Sequence, residues 1–413
     1  ARGGGARRSG PMVDGPGGAA TSHGGGAPRY APAAMAIPDG ASGVFASQHL
    51  AEAIADGWIA GADDEAVQPA SLDLHLGPVA YRIRCSFLPG PDTVENRVKA
   101  YVIDELDLTG DGAVLETQRP YLIPLRESLA LPDHIRARTN PKSSTGRLDV
   151  FTRVITDGGK AFDDVAPGYQ GSLWLEVVPL SFTVRVHEGL ALNQIRLIAG
   201  DRVELSDDDL RERHAADGLL YRNDTPVDPE HFRISSGLFL GLDLEGDDQG
   251  RVGHRARAHT GLLDMGRISA YHAEDWWDPV RREEGDRIVL APGAFYLLLS
   301  DEAVVIPPDL AAEMTAYDPT AGELRTHYAG FFDPGFGYDP TGLLKGSRAA
   351  LEVRAHDVPF MVEHRQPVCK LTFERMLEAP ERLYGAGIGS NYQGQRETLG
   401  KHFIRPESQL PLR

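Results

Sequence analysis

The chain has 413 residues, a formal net charge of −18, 41% hydrophobic and 25% charged residues, a composition that supports packed cores and a length that predicts two domains. The acidic balance argues against a nucleic-acid backbone as partner, because such binding needs a basic face that releases counterions. No apolar run approaches the roughly 20 residues that span a bilayer, so no membrane partner is expected, and two distant cysteines, Cys85 and Cys369, fit two buried thiols in a reducing cytoplasm and no disulfide framework.

Residues 1–36 are a Gly, Ala and Arg mixture without periodicity, read as a disordered tail. Its glycine runs have no strand before them and no helix after them, as a phosphate-binding loop requires. From 47 to 59 the spacing of Leu50, Ile54, Trp58 and Ile59 predicts an amphipathic helix. Short apolar or alternating segments follow at 121–124, 173–178, 182–186 and 191–198, separated by Pro, Gly and Asp turns, and predict a mainly β fold with few helices. Asp207-Asp208-Asp209 lies in a polar helical connector and reads as a solvated acidic face. Trp276-Trp277 is expected to pack in a core or at the domain junction.

An internal repeat organises this pattern. Tyr121-Leu-Ile-Pro-Leu-Arg-Glu-Ser-Leu-Ala-Leu-Pro-Asp133 is echoed by Tyr296-Leu-Leu-Leu-Ser-Asp-Glu-Ala-Val-Val-Ile-Pro-Pro-Asp309, Pro167-Gly168-Tyr169 by Pro334-Gly335-Phe336, and Leu175-Glu176-Val177 by Leu351-Glu352-Val353. Asn193-Gln194-Ile195-Arg196-Leu197 and Cys369-Lys370-Leu371-Thr372-Phe373 follow in the same order. A repeat of this length predicts a duplicated domain, with halves at 37–225 and 226–413 and a boundary in the Asp, Pro and Asn cluster at 221–231.

Two sets of residues carry chemistry. Lys142-Ser143-Ser144-Thr145-Gly146-Arg147 gathers hydroxyls, cations and a glycine in one turn, which suits phosphate oxygens, although a solvated surface loop has the same composition. Glu176 and Glu352 each sit between Leu and Val in a strand-like segment. Strand alternation points them away from their apolar neighbours, either to water or into a polar cleft. In a cleft, shielding raises the pKa toward the range where a carboxylate exchanges protons at neutral pH.

The order Gln68-Pro69-Ala70-Ser71-Leu72-Asp73-Leu74-His75-Leu76-Gly77, then Lys142 to Leu148, Pro167-Gly168-Tyr169-Gln170-Gly171 and Leu175-Glu176 resembles the dCTP deaminase branch of the dUTPase-like family. The second half repeats Asp333-Pro334-Gly335-Phe336 and Leu351-Glu352, and ends in Ser390-Asn391-Tyr392-Gln393-Gly394-Gln395, so the chain resembles a long, tandem form. The resemblance implies two tandem dUTPase-like (β-clip) domains. It also implies homo-oligomeric association, sites shared between domains, and a C-terminal tail that closes over a triphosphate.

The halves have diverged reciprocally. Ser143, Ser144 and Arg147 stand only in the first, where the second reads Tyr317-Asp318-Pro319-Thr320-Ala321-Gly322-Glu323-Leu324-Arg325; Asp333 and the tail stand only in the second. The resemblance therefore implies a composite site with Ser143, Arg147 and Glu352 as catalytic residues, Glu176 as the competing base, and Lys142, Ser144, Asp333, Tyr384 and Gln395 as substrate-binding residues. Asn391 stands where tails of this family commonly carry a lysine.

The activity implied is hydrolysis of dCTP to dUTP and ammonia with a glutamate base. Magnesium is expected only with the substrate triphosphate, and no protein-bound zinc, since two isolated cysteines cannot build the Pro-Cys-x-x-Cys pattern of zinc deaminases. Inhibition by dTTP at the same site is a further implication. A dUTPase, a bifunctional enzyme and a non-catalytic nucleotide sensor are the alternatives.

Overall fold

The computed structural model describes residues 37–404 except 38–39, 202, 232, 317–323, 327–329, 356, 386–391 and 396. The expected tail at 1–36, Asn391 and most of 317–325, the second-half counterpart in sequence of the Ser143 segment, lie outside the described residues. Residues 35–413 form one compact unit, so its two halves are treated together. Among the described residues, no helix is long and apolar enough to cross a membrane.

Strands dominate, as their short alternating segments predict. In the first half, the strand Gln170–Pro179 lies between Tyr121–Ala130 and Val150–Thr156, with Val177 opposite Tyr121 and Leu175 opposite Ile123. In the second, Ser347–Ala355 pairs with Phe295–Val304, with Val353 opposite Tyr296 and Leu351 opposite Leu298. The sequence repeat is thus a repeat of register. Ala191–Ala199 paired with Ile135–Pro141 has its counterpart in Pro367–Arg375 paired with Leu310–Ala316. Because side chains alternate along a strand, identical register aims Glu176 and Glu352 at equivalent places.

The helix predicted over 47–59 is shorter, Ser47–Ala55. Gly57 adopts φ 78°, the left-handed conformation that stops a helix after Asp56, and Ile59 joins a short strand opposite Leu129. The acidic connector is the helix Asp207–Asp217, with Ser206 and Asp209 capping each other and Gly218 at φ 69° closing the other end. Its three aspartates occupy the first turn, where the helix dipole favours negative charge.

Two cores form, but their boundary is not at 221–231. Leu205, Leu210, Leu219 and Leu220 already belong to the second core, and Leu220–Arg222 adds to the sheet of Phe295–Val304. The Asp, Pro and Asn cluster is instead a surface turn within the second half, where Asn223 and Asp224 take positive φ. Traffic also runs the other way. Trp276, Trp277, Phe295, Leu399 and Phe403 pack in the first core, with Trp277 edge-on to Phe182 at 5.2 Å between centroids. Burying these aromatic faces across the junction holds the halves together. Of the two cysteines expected to be buried, Cys369 is, but Cys85 is exposed, just past the strand Val79–Ile83.

Candidate active site

After the strand Ile135–Pro141 the chain makes one helical turn, Ser143–Gly146. The N–H groups of Thr145 and Gly146 donate to the Lys142 carbonyl (2.8 and 3.1 Å), and that of Arg147 donates to Ser143 (3.1 Å). Asp149 leaves the turn at φ 56°, a conformation Asp tolerates better than most residues. One helical turn puts residues 143 and 147 on the same face, and Arg147 Nε donates to Ser143 Oγ at 3.2 Å.

The end of the second half closes over Arg147, which is 2% exposed. Its guanidinium donates to Gln395 Oε1 (2.8 Å) and to the carbonyls of Thr398 (3.1 Å) and Leu399 (3.4 Å), and lies 3.7 Å from the Tyr392 ring centroid. Gln395 in turn donates to the Arg348 carbonyl at 2.6 Å. A planar guanidinium with five donors suits this role, which a lysine could not fill.

Glu352 comes from the second-half strand Ser347–Ala355. Two residues on, and so on the same side of the strand, Arg354 forms an ion pair with Asp149 of the first half. That contact ties the glutamate strand to the chain just past the Ser143 turn. Burial raises the pKa of Glu352 to about 8; Arg147 opposes the shift and Asp149 adds to it.

Glu352, Ser143 and Arg147 line one cavity of about 300 Å³, together with Lys142, Ser144, Asp333, Tyr384 and Gln395. Lys142 forms an ion pair with Asp73. Asp333 accepts from Ser71 Oγ (3.4 Å) and from Arg196 (3.3 Å). Burial pushes its carboxyl up, with Arg196 opposing. Gly335 at φ 98° lets the backbone pass Tyr384 so closely that a Cβ would lie 2.7 Å from its nitrogen; the Tyr384 N–H donates to Pro334. Burial pushes the Tyr384 phenol up as well.

Eight of the nine residues singled out in the sequence therefore share one cavity. Glu176 is the exception and does not line it. It is 1% exposed and accepts from Arg153 at 2.7 Å, while Arg153 stacks on Phe162 with 3.7 Å to the ring centroid. Of the two candidate bases, Glu352 lines the cavity and Glu176 is paired with a guanidinium outside it. Of the two orientations left open by strand alternation, bulk water is not the one adopted, since both glutamates are buried.

Sequence reasoning missed the roles of Asp73, Tyr392 and Lys401 in the cavity wall. Asp73 and Tyr392 sit inside quoted motifs, whereas Lys401 lies beyond them. Arg196 was visible only as part of the repeat. One cluster among the described residues has metal-ligand spacing, Asp243, Asp301 and His364. Guanidinium groups engage its carboxylates, Arg348 on Asp243 and both Arg222 and Arg365 on Asp301, and His364 Nδ1 accepts from the Leu244 N–H. It is an ion-pair network outside the cavity.

Fold and cavity together define a two-core β protein whose polar site is built across its halves, with a buried carboxyl, a hydroxyl and a fixed cation lining one cavity. Residues 41–201 match the 2'-deoxycytidine 5'-triphosphate deaminase (DCD) N-terminal domain, and residues 206–403 match the corresponding C-terminal domain. A solved structure, 2'-deoxycytidine 5'-triphosphate deaminase from Agrobacterium tumefaciens, is 43% identical with a TM-score of 0.76, covering 81% of this chain and 99% of that one. A dCTP deaminase from Natronomonas pharaonis is 35% identical over 31% of this chain, which spans 62% of that relative's length. A "dCTP deaminase, dUMP-forming" from Corynebacterium kroppenstedtii is 32% identical over 42% of this chain and 83% of its own. The chain belongs to the dCTP deaminase family.

Proposed function

We propose that this protein hydrolyses the C–N bond of the dCTP exocyclic amine, giving dUTP and ammonia. The observation that supports this best is the meeting of Glu352 with Ser143 and Arg147 in one cavity. With its pKa raised to about 8, Glu352 can take up and release a proton near neutrality. As a carboxylate it takes a proton from water while the hydroxide adds to the ring carbon that bears the amine, and it passes that proton to the adjacent ring nitrogen. It then carries the remaining hydroxyl proton to the amine, which leaves as ammonia as the C–O double bond forms. Water thus supplies both protons.

Ser143 positions the water or the leaving amine, and Arg147 holds Ser143 and stabilises the carboxylate. Lys142, Ser144, Asp333, Tyr384 and Gln395 bind and enclose the substrate, and magnesium arrives as part of it, on the triphosphate. This route asks no metal to activate water. The name of the Corynebacterium relative, dUMP-forming, favours a second reading in which the same site also cleaves the triphosphate. Incubation with dCTP and magnesium, with ammonia and nucleotides quantified, tests both. Equimolar dUTP and ammonia support deamination alone, dUMP with pyrophosphate supports the second reading, and no ammonia overturns both.

A further inference from the structure

Beyond Gln395 the chain reaches a second anchor. Phe403 is fully buried, 5.9 Å between centroids from Trp277 and 6.5 Å from Tyr271. The Lys401 carbonyl accepts from the Ser269 N–H at 2.9 Å, and the His402 carbonyl from Ala270 at 2.9 Å. On the other side Gly400 lies against Arg147, where an added Cβ would stand 3.7 Å from the arginine Cβ. Lys401 is therefore held from both directions, and it forms part of the cavity wall.

The cations of that wall differ in what they are bound to. Lys142 is paired with Asp73, and the Arg147 donors go to Ser143, Gln395 and two carbonyls. Among the described residues, no ion pair or hydrogen bond engages the Lys401 ammonium. Burial pushes its pKa down and so does Lys142, with Asp73 opposing. Asp73 offsets one of the two cations, which leaves one positive charge in a partly buried place for a further anion to compensate.

We propose that Lys401, together with Lys142, receives the phosphate chain of the nucleotide. The proposal rests on the dCTP reading above and adds a residue to it. Location is consistent with the phosphates: Lys142 and Asp73 are the charges that act on Lys401, and Arg147 and Asp149 those that act on Glu352, the base at the ring. A compact ammonium on a flexible stem also suits phosphate oxygens without a fixed fork geometry. Asn391 cannot bring a charge to the substrate, and Lys401 brings one from ten residues further along.

The test compares the full chain with Lys401→Met and Lys401→Arg, measuring calorimetric binding of dCTP and of deoxycytidine together with steady-state kinetics. Loss of one charge-assisted contact should weaken dCTP binding by roughly 10- to 100-fold in Lys401→Met and raise KM with little change in kcat. Deoxycytidine binding should be unchanged, and Lys401→Arg should restore most of the dCTP affinity. Unchanged dCTP affinity in Lys401→Met overturns the proposal, as does an equal loss for dCTP and deoxycytidine, which would mark a scaffold role. A wild-type chain that binds no dCTP overturns the functional reading itself and this proposal with it.

Discussion

The guanidinium of Arg147 lies 3.7 Å from the Tyr392 ring centroid, so the first-half turn and the second-half tail meet on one side chain. Arg147 also touches Ser143, so one side chain holds the tail and the Ser143 turn together. A Tyr392→Leu substitution removes the cation–π contact, worth about 0.5–2 kcal/mol. It should lower kcat/KM by roughly 2- to 30-fold, and increase hydrogen exchange in residues 393–399. A change in turnover without a change in exchange there would separate the tail from the site.

Glu352→Gln should abolish ammonia release while keeping dCTP binding, because the amide preserves shape but takes no proton from water. Glu176→Gln should leave turnover largely intact and lower the melting temperature, since it unpairs the buried end of the Arg153 contact. Loss of activity in Glu176→Gln alone, at full folding, would reverse the assignment.

Ser143→Ala and Arg147→Ala should each depress kcat, and together cost less than the product of the two effects. The 3.2 Å bond between them makes them one unit, so removing either already spoils the other. Multiplicative effects in the double variant would show that they act separately.

How much of this was legible beforehand depends on the distance over which a cause acts. The repeat fixed register, because Tyr121 opposite Val177 and Tyr296 opposite Val353 follow from period-2 packing within each half. Ser143 and Arg147 were legible as one turn. What could not be read was anything decided across halves: that Arg153 covers Glu176 while the cavity stays open at Glu352, that Arg196 reaches Asp333, or that the second core starts at Leu205. The helix end at Ala55 was missed for a local reason, since Gly57 was outweighed by the apolar spacing that continues to Ile59.

Stability should vary with pH on both sides of neutrality. Glu352 has a folded pKa of about 8 against 4.5 in a free chain, so its protonated form supports the fold below pH 4.5 and that support is lost as pH rises through about 8. Replacing Glu352 by Gln should therefore stabilise the ligand-free protein by an amount that grows across this interval. His254 behaves in the opposite sense. Burial, and secondarily Arg251, lower its pKa from 6.5 to about 4, so its contribution is full above 6.5 and is lost as pH falls through about 4. Its Nδ1 lies 2.9 Å from Thr398 Oγ1, so acid should loosen the tail first. Thermal melts of Glu352→Gln and His254→Gln against pH check both signs; a pH-independent difference from wild type would refute either.

The junction between halves offers the most direct test of how the site is supported. Arg196 is fully buried, donates to Glu374 at 2.9 Å and to Asp333 at 3.3 Å, and also reaches the carbonyls of Ala70 and Ala312. Glu374 accepts in addition from Arg138 at 3.4 Å. Removing one member of a buried pair leaves the other charge without compensation, at a cost of about 3–5 kcal/mol. Glu374→Gln should therefore destabilise, by less than that full cost, because Arg196 has no route to water but keeps Asp333. Arg196→Met should cost stability too, and it should also raise KM, because Asp333 loses the donor that fixes it in the cavity wall. The double variant should be less destabilised than the sum of the singles, since Arg138 keeps Glu204 and Glu313 and the Arg196–Glu374 pair is removed as a unit, while the loss at Asp333 is common to both variants that lack Arg196. Denaturant melts of the four proteins measure the coupling, and additive losses would mean that Arg196 and Glu374 do not stabilise the junction as a pair.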